Sequence, residues 1–238
     1  MAFTSSGSFV SVNNKVAATS LAIIPSAPAT AGRLAVLLIA TDNLSNVTAS
    51  NNVLSVRDSQ NNRWFKAGER SDGSAAAAGA TIAMFYCIPS TTILTTNSIT
   101  ASFNGSITSK AASGFIFNTT IQNPTPLTSS ATGSQSTTPG SLNLSNLTSG
   151  EGNYLFFRGL AVEDTTTNLL TLTATFTAST ANGTSGGGAA TNMQVRGEFR
   201  IATTSSLTSN PTISANASNA SFYAAFYEAS RTKIILTD

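Results

Sequence analysis

The sequence predicts an all-β protein, a two-sheet antiparallel sandwich with little or no helix. Three observations carry this reading. Only 9% of the 238 residues are charged, and polarity comes instead from Ser, Thr, Asn and Gly. Thr is β-branched, while Ser and Asn compete with helical hydrogen bonds, so the mixture favours strands and turns. Apolar residues, 41% of the chain, recur in short runs bounded by turn formers, with no convincing helical spacing. Period-2 alternation is plain in "SFVSV", "TLTATF" and "QVRGEFRI", which marks strands with one wet and one dry face.

The elements follow in order. An N-terminal arm of about residues 1–15 contains the alternating run "SFVSV" (8–12), and "VAATSLAI" (16–23) comes next. "RLAVLLIAT" (33–41) is apolar on both faces and belongs in the middle of a sheet. "NVLSVRD" (52–58) and "RWFKAGE" (63–69) flank a polar turn and read as a hairpin. "ATIAMFYCI" (80–88), "SITASF" (98–103) and "AASGFIF" (111–117) follow. Residues of about 118–142, rich in Pro, Ser and Thr, read as a long crossover loop. Beyond it lie "NYLFFRGLAV" (153–162), "LLTLTATF" (169–176), "MQVRGEFRIA" (193–202), "PTISAN" (211–216) and "SFYAAFYEA" (221–229).

The two halves echo each other in strand order and character. "RLAVLLIATDN", "TIAMFYCIPS", "SITASFNGS" and "AASGFIFNTT" are answered by "NYLFFRGLAVED", "MQVRGEFRIATT", "PTISANASNA" and "SFYAAFYEAS". Two arrangements fit this pseudo-repeat. The favoured one is a single domain over residues 1–238 in which the halves interleave, because each half alone offers a thin core. The alternative is two small sandwiches split near 118–142.

Several chemistries are excluded by composition. With no histidine and one cysteine, Cys87, the chain cannot assemble a Ser-His-Asp or Cys-His nucleophile, a structural zinc site or an intrachain disulfide. Cys87 in its apolar run reads as a small hydrophobe. Paired-carboxylate hydrolysis would need acids converging across the fold. Glu198 lies between Arg196 and Arg200 on one strand face and reads as an exposed charge ladder, and Glu228 has no evident partner. The Gly-rich "TSGGGAAT" (184–191) lacks a following G-K-[ST] and reads as a loop tip. No catalytic residue, metal site or cofactor is therefore expected.

A net charge of +2, spread over isolated Lys and Arg, offers no stripe for nucleic acid. The longest apolar run is far short of the roughly 20 residues that a helix needs to span a bilayer. The first residues lack the pattern of a signal peptide, so neither membrane insertion nor signal-directed export is expected.

The richest local motif is "VRDSQNNRWFKAG" (56–68), which holds the chain's one tryptophan. Asp58 and Asn62 read as the anchors of an Asx-type turn in preference to a calcium loop. Trp64 could pin a core or stack on a sugar, and a one-residue change of register exchanges its face with that of Phe65. Asp58, Arg63, Asn62 and Trp64, with Tyr154, form the candidate ligand or interface set. Tyr154 joins them because a tyrosine hydroxyl suits a sheet end or an interface.

From "LAVLLIAT" through "VRDSQNNRWFKAG" to "ATIAMFYCI", "SITASF" and "AASGFIF", the chain resembles jelly-roll, concanavalin-like sandwiches of tailed-bacteriophage virions. The matching positions are Asp58, Asn62, Trp64, Phe85, Tyr86, Thr100, Phe103 and Phe115. The resemblance implies a non-enzymatic virion structural protein, a capsid decoration or cement protein. Its expected partners are the major capsid protein or other virion proteins and its own copies, a trimer among the expected states. The alternative is a carbohydrate- or receptor-binding module of a tail fibre or cell-surface adhesin, with a glycan as ligand.

Overall fold

The structure is a computed structural model, and it describes residues 3–44, 51–72, 79–120, 126–145, 152–165, 170–179, 181–204 and 206–229. The first half contributes β1 (Thr4–Asn14), β2 (Ala18–Ile23), β3 (Leu34–Asp42), β4 (Val53–Asp58), β5 (Phe65–Ser71), β6 (Ala80–Cys87), β7 (Ile99–Ile107) and β8 (Lys110–Asn118). The second contributes β9 (Leu127–Ser136), β10 (Leu142–Leu144), β11 (Gly152–Val162), β12 (Leu170–Thr171), β13 (Thr177–Ala178) and β14 (Asn182–Gly183). It ends with β15 (Gln194–Ala202), β16 (Leu207–Ser209), β17 (Thr212–Ile213) and β18 (Ala217–Ala229). The one helical element among the described residues is a 3₁₀ turn at Ala189–Thr191. No helix among them is long and apolar enough to cross a membrane.

Pairing is nested in each half. β1 pairs with β8, β2 with β7 and β3 with β6, all antiparallel. In the same way β9 pairs with β18, β10 with β16 and β11 with β15, while β12 pairs with β17 across that nesting as β4 does with β7. Nested pairing is what results when one long hairpin is rolled onto itself, and it gives a jelly-roll-like sandwich. The first roll has a central sheet β1-β8-β3-β6-β5 covered by β2-β7-β4. The second repeats the order as β9-β18-β11-β15-β13, with the short ladders β10-β16 and β12-β17 as its cover. The sequence echo thus corresponds to like-placed strands: β3 with β11, β6 with β15 and β8 with β18.

Interleaving, the arrangement favoured by the sequence, is not what the ladders show. Every ladder among the described residues stays within its own half. The thin-core objection is met differently, because the two central sheets pack face to face. β3 is buried along its whole length, Leu34, Val36, Leu38 and Ala40 facing the second roll and Ala35, Leu37 and Ile39 facing the cover sheet. Across the shared core Phe115 and Phe117 of β8 meet Phe157 of β11 at 5.7 and 5.9 Å, and Phe199 of β15 stacks on Phe157 at 6.1 Å. Each such buried ring contributes roughly 2–3 kcal/mol of hydrophobic stabilisation.

Four other expectations are corrected. The N-terminal arm is the edge strand β1, held along β8 with bulges near Ser5 and Val10. The crossover loop holds β9 and β10. β9 is a Ser/Thr/Gly strand at a sheet edge, where backbone pairing suffices and no apolar alternation betrays it. The supposed hairpin across "SQNN" is a crossing between sheets, since β4 pairs with β7 and β5 with β6. In the second half the described residues of "LLTLTATF" are strand only at β12, and Thr175 adopts a left-handed φ of 71°.

The sheets approach closely because glycines leave slots. A Cβ on Gly159 of β11 would lie 2.5 Å from Cδ2 of Leu38, and one on Gly68 of β5 would strike the ring of Phe222 from β18. Each roll thus inserts a side chain over a glycine of the other. Gly159→Ala should cost roughly 1–3 kcal/mol in urea unfolding by overpacking. Adding Leu38→Ala should recover part of that loss, and strictly additive effects would speak against the slot.

Candidate functional site

The candidate residues of the first roll meet where β4 crosses to β5. Asp58 closes β4 with its carboxylate turned into the crossing. Its Oδ1 accepts from the amides of Gln60 (2.8 Å) and Asn62 (3.2 Å) and from Asn62 Nδ2 (3.2 Å). Its Oδ2 accepts from the indole N–H of Trp64 at 2.7 Å. Between them Asn61 takes a left-handed φ of 57°, a conformation that asparagine tolerates.

Asn62 then bolts the crossing to the loop after β6. Its Oδ1 accepts from the amides of Ser90 (2.9 Å) and Thr91 (3.0 Å), and its Nδ2 donates to the Thr91 carbonyl at 2.9 Å. The D-x-x-x-N-x-W spacing is therefore a turn-and-anchor device. N–H donors engage both Asp58 oxygens and Asn62 Oδ1. This is the Asx-type turn that the spacing suggests.

The register question has a two-sided answer. Trp64 packs against the core inside the first roll, and Phe65 packs against the core shared by the two rolls. Both point inward because the central sheet is buried on both faces. Phe65 stacks on Tyr86 at 5.4 Å, and the Arg63 guanidinium lies 4.6 Å over the Phe65 ring. Cys87 is buried in β6, and burial, with the Asp58 charge adding to it, pushes its thiol up to about 12. It behaves as the small hydrophobe that the sequence suggests.

Tyr154 does not join this group. It lies on the outer face of the second roll's central sheet, buried against Tyr227 at 4.8 Å and Phe156 at 5.8 Å. The structure brings Asp58, Asn62 and Trp64 together, sets Arg63 beside them on Phe65, and places Tyr154 in a separate cluster.

A second constellation lies on that same outer face. Arg158 of β11 and Glu198 of β15 are register partners and both are wholly buried. Arg158 donates to the carbonyls of Pro139, Gly140 and Ser209, each at 2.8 Å, and to Ser221 Oγ at 2.9 Å. Ser209 Oγ accepts from Arg158 at 3.1 Å and donates to Glu198 Oε1 at 2.5 Å, a relay between the two charges. The Thr173 amide and hydroxyl complete the carboxylate's shell at 2.8 and 2.7 Å. Burial draws the Arg158 guanidinium down to about 10, opposed by the charge of Glu198.

The exposed ladder expected around Glu198 is thus corrected. β10, β16 and the 139–140 segment roof that face, so a polar-looking side of β15 is interior. The sequence did hold one signal, an arginine alone among Phe, Gly and Leu in "NYLFFRGLAV", since a charge in such a run is buried only with partners. The Glu228 side chain lies outside the described residues. The Gly-rich segment 184–191 curls around an ammonium: Lys15 Nζ donates to the Gly186 carbonyl, to Thr191 Oγ1 (3.0 Å) and to Asn192 Oδ1 (3.1 Å).

Comparisons with protein-family models, with curated proteins and with solved structures find no match to this chain.

The buried network makes a clear demand. Glu198→Gln leaves Arg158 buried without a counter-charge and should cost roughly 3–5 kcal/mol in urea unfolding. Arg158→Met combined with Glu198→Gln should be less damaging than Glu198→Gln alone, and the reverse order would contradict the pairing.

Proposed function

We propose that this chain is a non-enzymatic structural protein of a bacteriophage virion, a capsid decoration protein that stabilises the shell through contacts with the major capsid protein and with its own copies. The observation that carries the reading is the tandem jelly-roll-like sandwich with a sparsely charged, hydroxyl-rich exterior. Jelly rolls recur in capsid and lectin domains, so the fold supports this class by analogy. The exposed positions of β1, β2 and β7 include Thr4, Ser5, Ser11, Thr19, Thr100 and Asn104. Hydroxyl and amide surfaces can meet a neighbour without stripping water from ions, the costly step in burying charge.

Three of the charged groups are engaged within the fold. Asp58 holds a turn, Glu198 balances Arg158, and Lys15 anchors a loop. Sugar recognition would draw on exposed ring faces. Among the described residues the large exposed hydrophobics are Val16, Ile24, Leu54, Leu94 and Leu127, none of them aromatic.

Quantitative mass spectrometry of purified virions of the encoding phage tests the assignment. The protein should be present in a copy number comparable with the shell subunits. Absence, or only a few copies per particle, would overturn the decoration reading.

A further inference from the structure

One end of the seam between the rolls gathers carboxylates from both. Ala80 is the meeting point: it pairs with Asp42 at the end of β3, and its carbonyl accepts the Asp72 amide at 3.0 Å. The neighbouring Gly79 amide hydrogen-bonds Glu163, which follows β11 in the second roll. Asp42 and Glu163 are only 6% and 7% exposed. The Ser109 amide donates to Asp42 Oδ2 at 2.9 Å, but Asp42 Oδ1 and Glu163 Oε1 have no hydrogen-bond partner.

The nearby cations are already engaged. Lys110 of β8 donates to the carbonyls of Val16 (2.6 Å) and Ile107 (2.9 Å), and Lys15, just past β1, is held by the Gly-rich loop. Asp72 accepts from Asn43 Nδ2 at 2.6 Å. Asp164, next in the chain, is partly exposed and accepts from the Thr165 amide. Negative charge from β3, β5 and β11 therefore converges on a buried joint where two carboxylate oxygens lack donors. Such oxygens are satisfied most directly by protons.

We propose that this end of the seam is an acid-closed clasp: proton uptake by Asp42 and Glu163 tightens the union of the two rolls, and proton loss loosens it. Burial lifts Asp42 to about 6 from its ordinary 3.8, with the Ser109 amide, Lys110 and Lys15 opposing. Glu163 is also raised, by burial first and by Asp42 and Asp72 besides, with the Gly79 amide and Ser218 opposing. The folded chain holds protons that the unfolded chain releases. The added stability is therefore complete below about pH 4 and is lost as pH rises through about 6.

The test is urea unfolding of the full chain from about pH 4 to about pH 7.5. Relative to Asp42→Asn/Glu163→Gln, the wild-type folded-to-unfolded ratio should rise roughly 100-fold on acidification, the equivalent of about two pKa units at Asp42. A wild type with the same pH slope as the double variant would overturn the clasp. Should the variant fail to fold, carboxyl-carbon NMR of the wild type decides. One Asp carboxyl should titrate near pH 6, and a spectrum with every Asp titrating below about pH 5 would overturn the proposal.

Discussion

The face-to-face seating of the two central sheets is the contact from which most other features of the chain follow. Leu38 settles over Gly159 and Phe222 over Gly68, so each roll supplies both a side chain and the slot that receives one. Rings from β8, β11 and β15 fill the space between. A small roll with one exposed sheet face would bury too little apolar surface to offset the entropy of ordering its chain. Joining the exposed faces removes that deficit for both rolls at once. It also explains why β3 and β6 are apolar on both sides.

The outer layers answer to the same constraint. In the first roll the cover is a regular three-stranded sheet, packed on aliphatic and aromatic side chains with Trp64 at its margin. In the second the cover is broken into short ladders, and Arg158 with Glu198 lies beneath them. That pair ties β11 and β15 to the 139–140 segment and β16 by hydrogen bonds. Polar partners there do what continuous strand packing does in the first roll. Buried charge is a weak source of net stability, yet it demands one arrangement of its donors and acceptors.

Much of this was legible in the residues. "LAVLLIA" announced a strand buried on both faces, and the order of like strands in the two halves announced the repeat. The spacing of Asp58, Asn62 and Trp64 announced a turn. What the residues concealed was which surface covers which. Alternation around Glu198 separates two sides of β15 but does not say that β10 and β16 roof one of them. The "SQNN" turn marks a reversal, but not that β5 returns in a different sheet from β4. β9 was hidden because a Ser/Thr/Gly edge strand pairs through its backbone and needs no apolar pattern. The convergence of Asp42 with Glu163 depends on how the rolls seat, which no local pattern encodes.

If the seam makes the two rolls one cooperative unit, they should unfold together. Trp64 is the chain's one tryptophan and lies in the first roll, so its fluorescence follows that roll, while far-ultraviolet circular dichroism follows the strands of both. The decisive measurement is urea unfolding monitored by both signals on one sample. A single transition with coincident midpoints is expected. A Trp64 transition separated from the loss of strand signal would show that the rolls stand independently and would contradict the shared core.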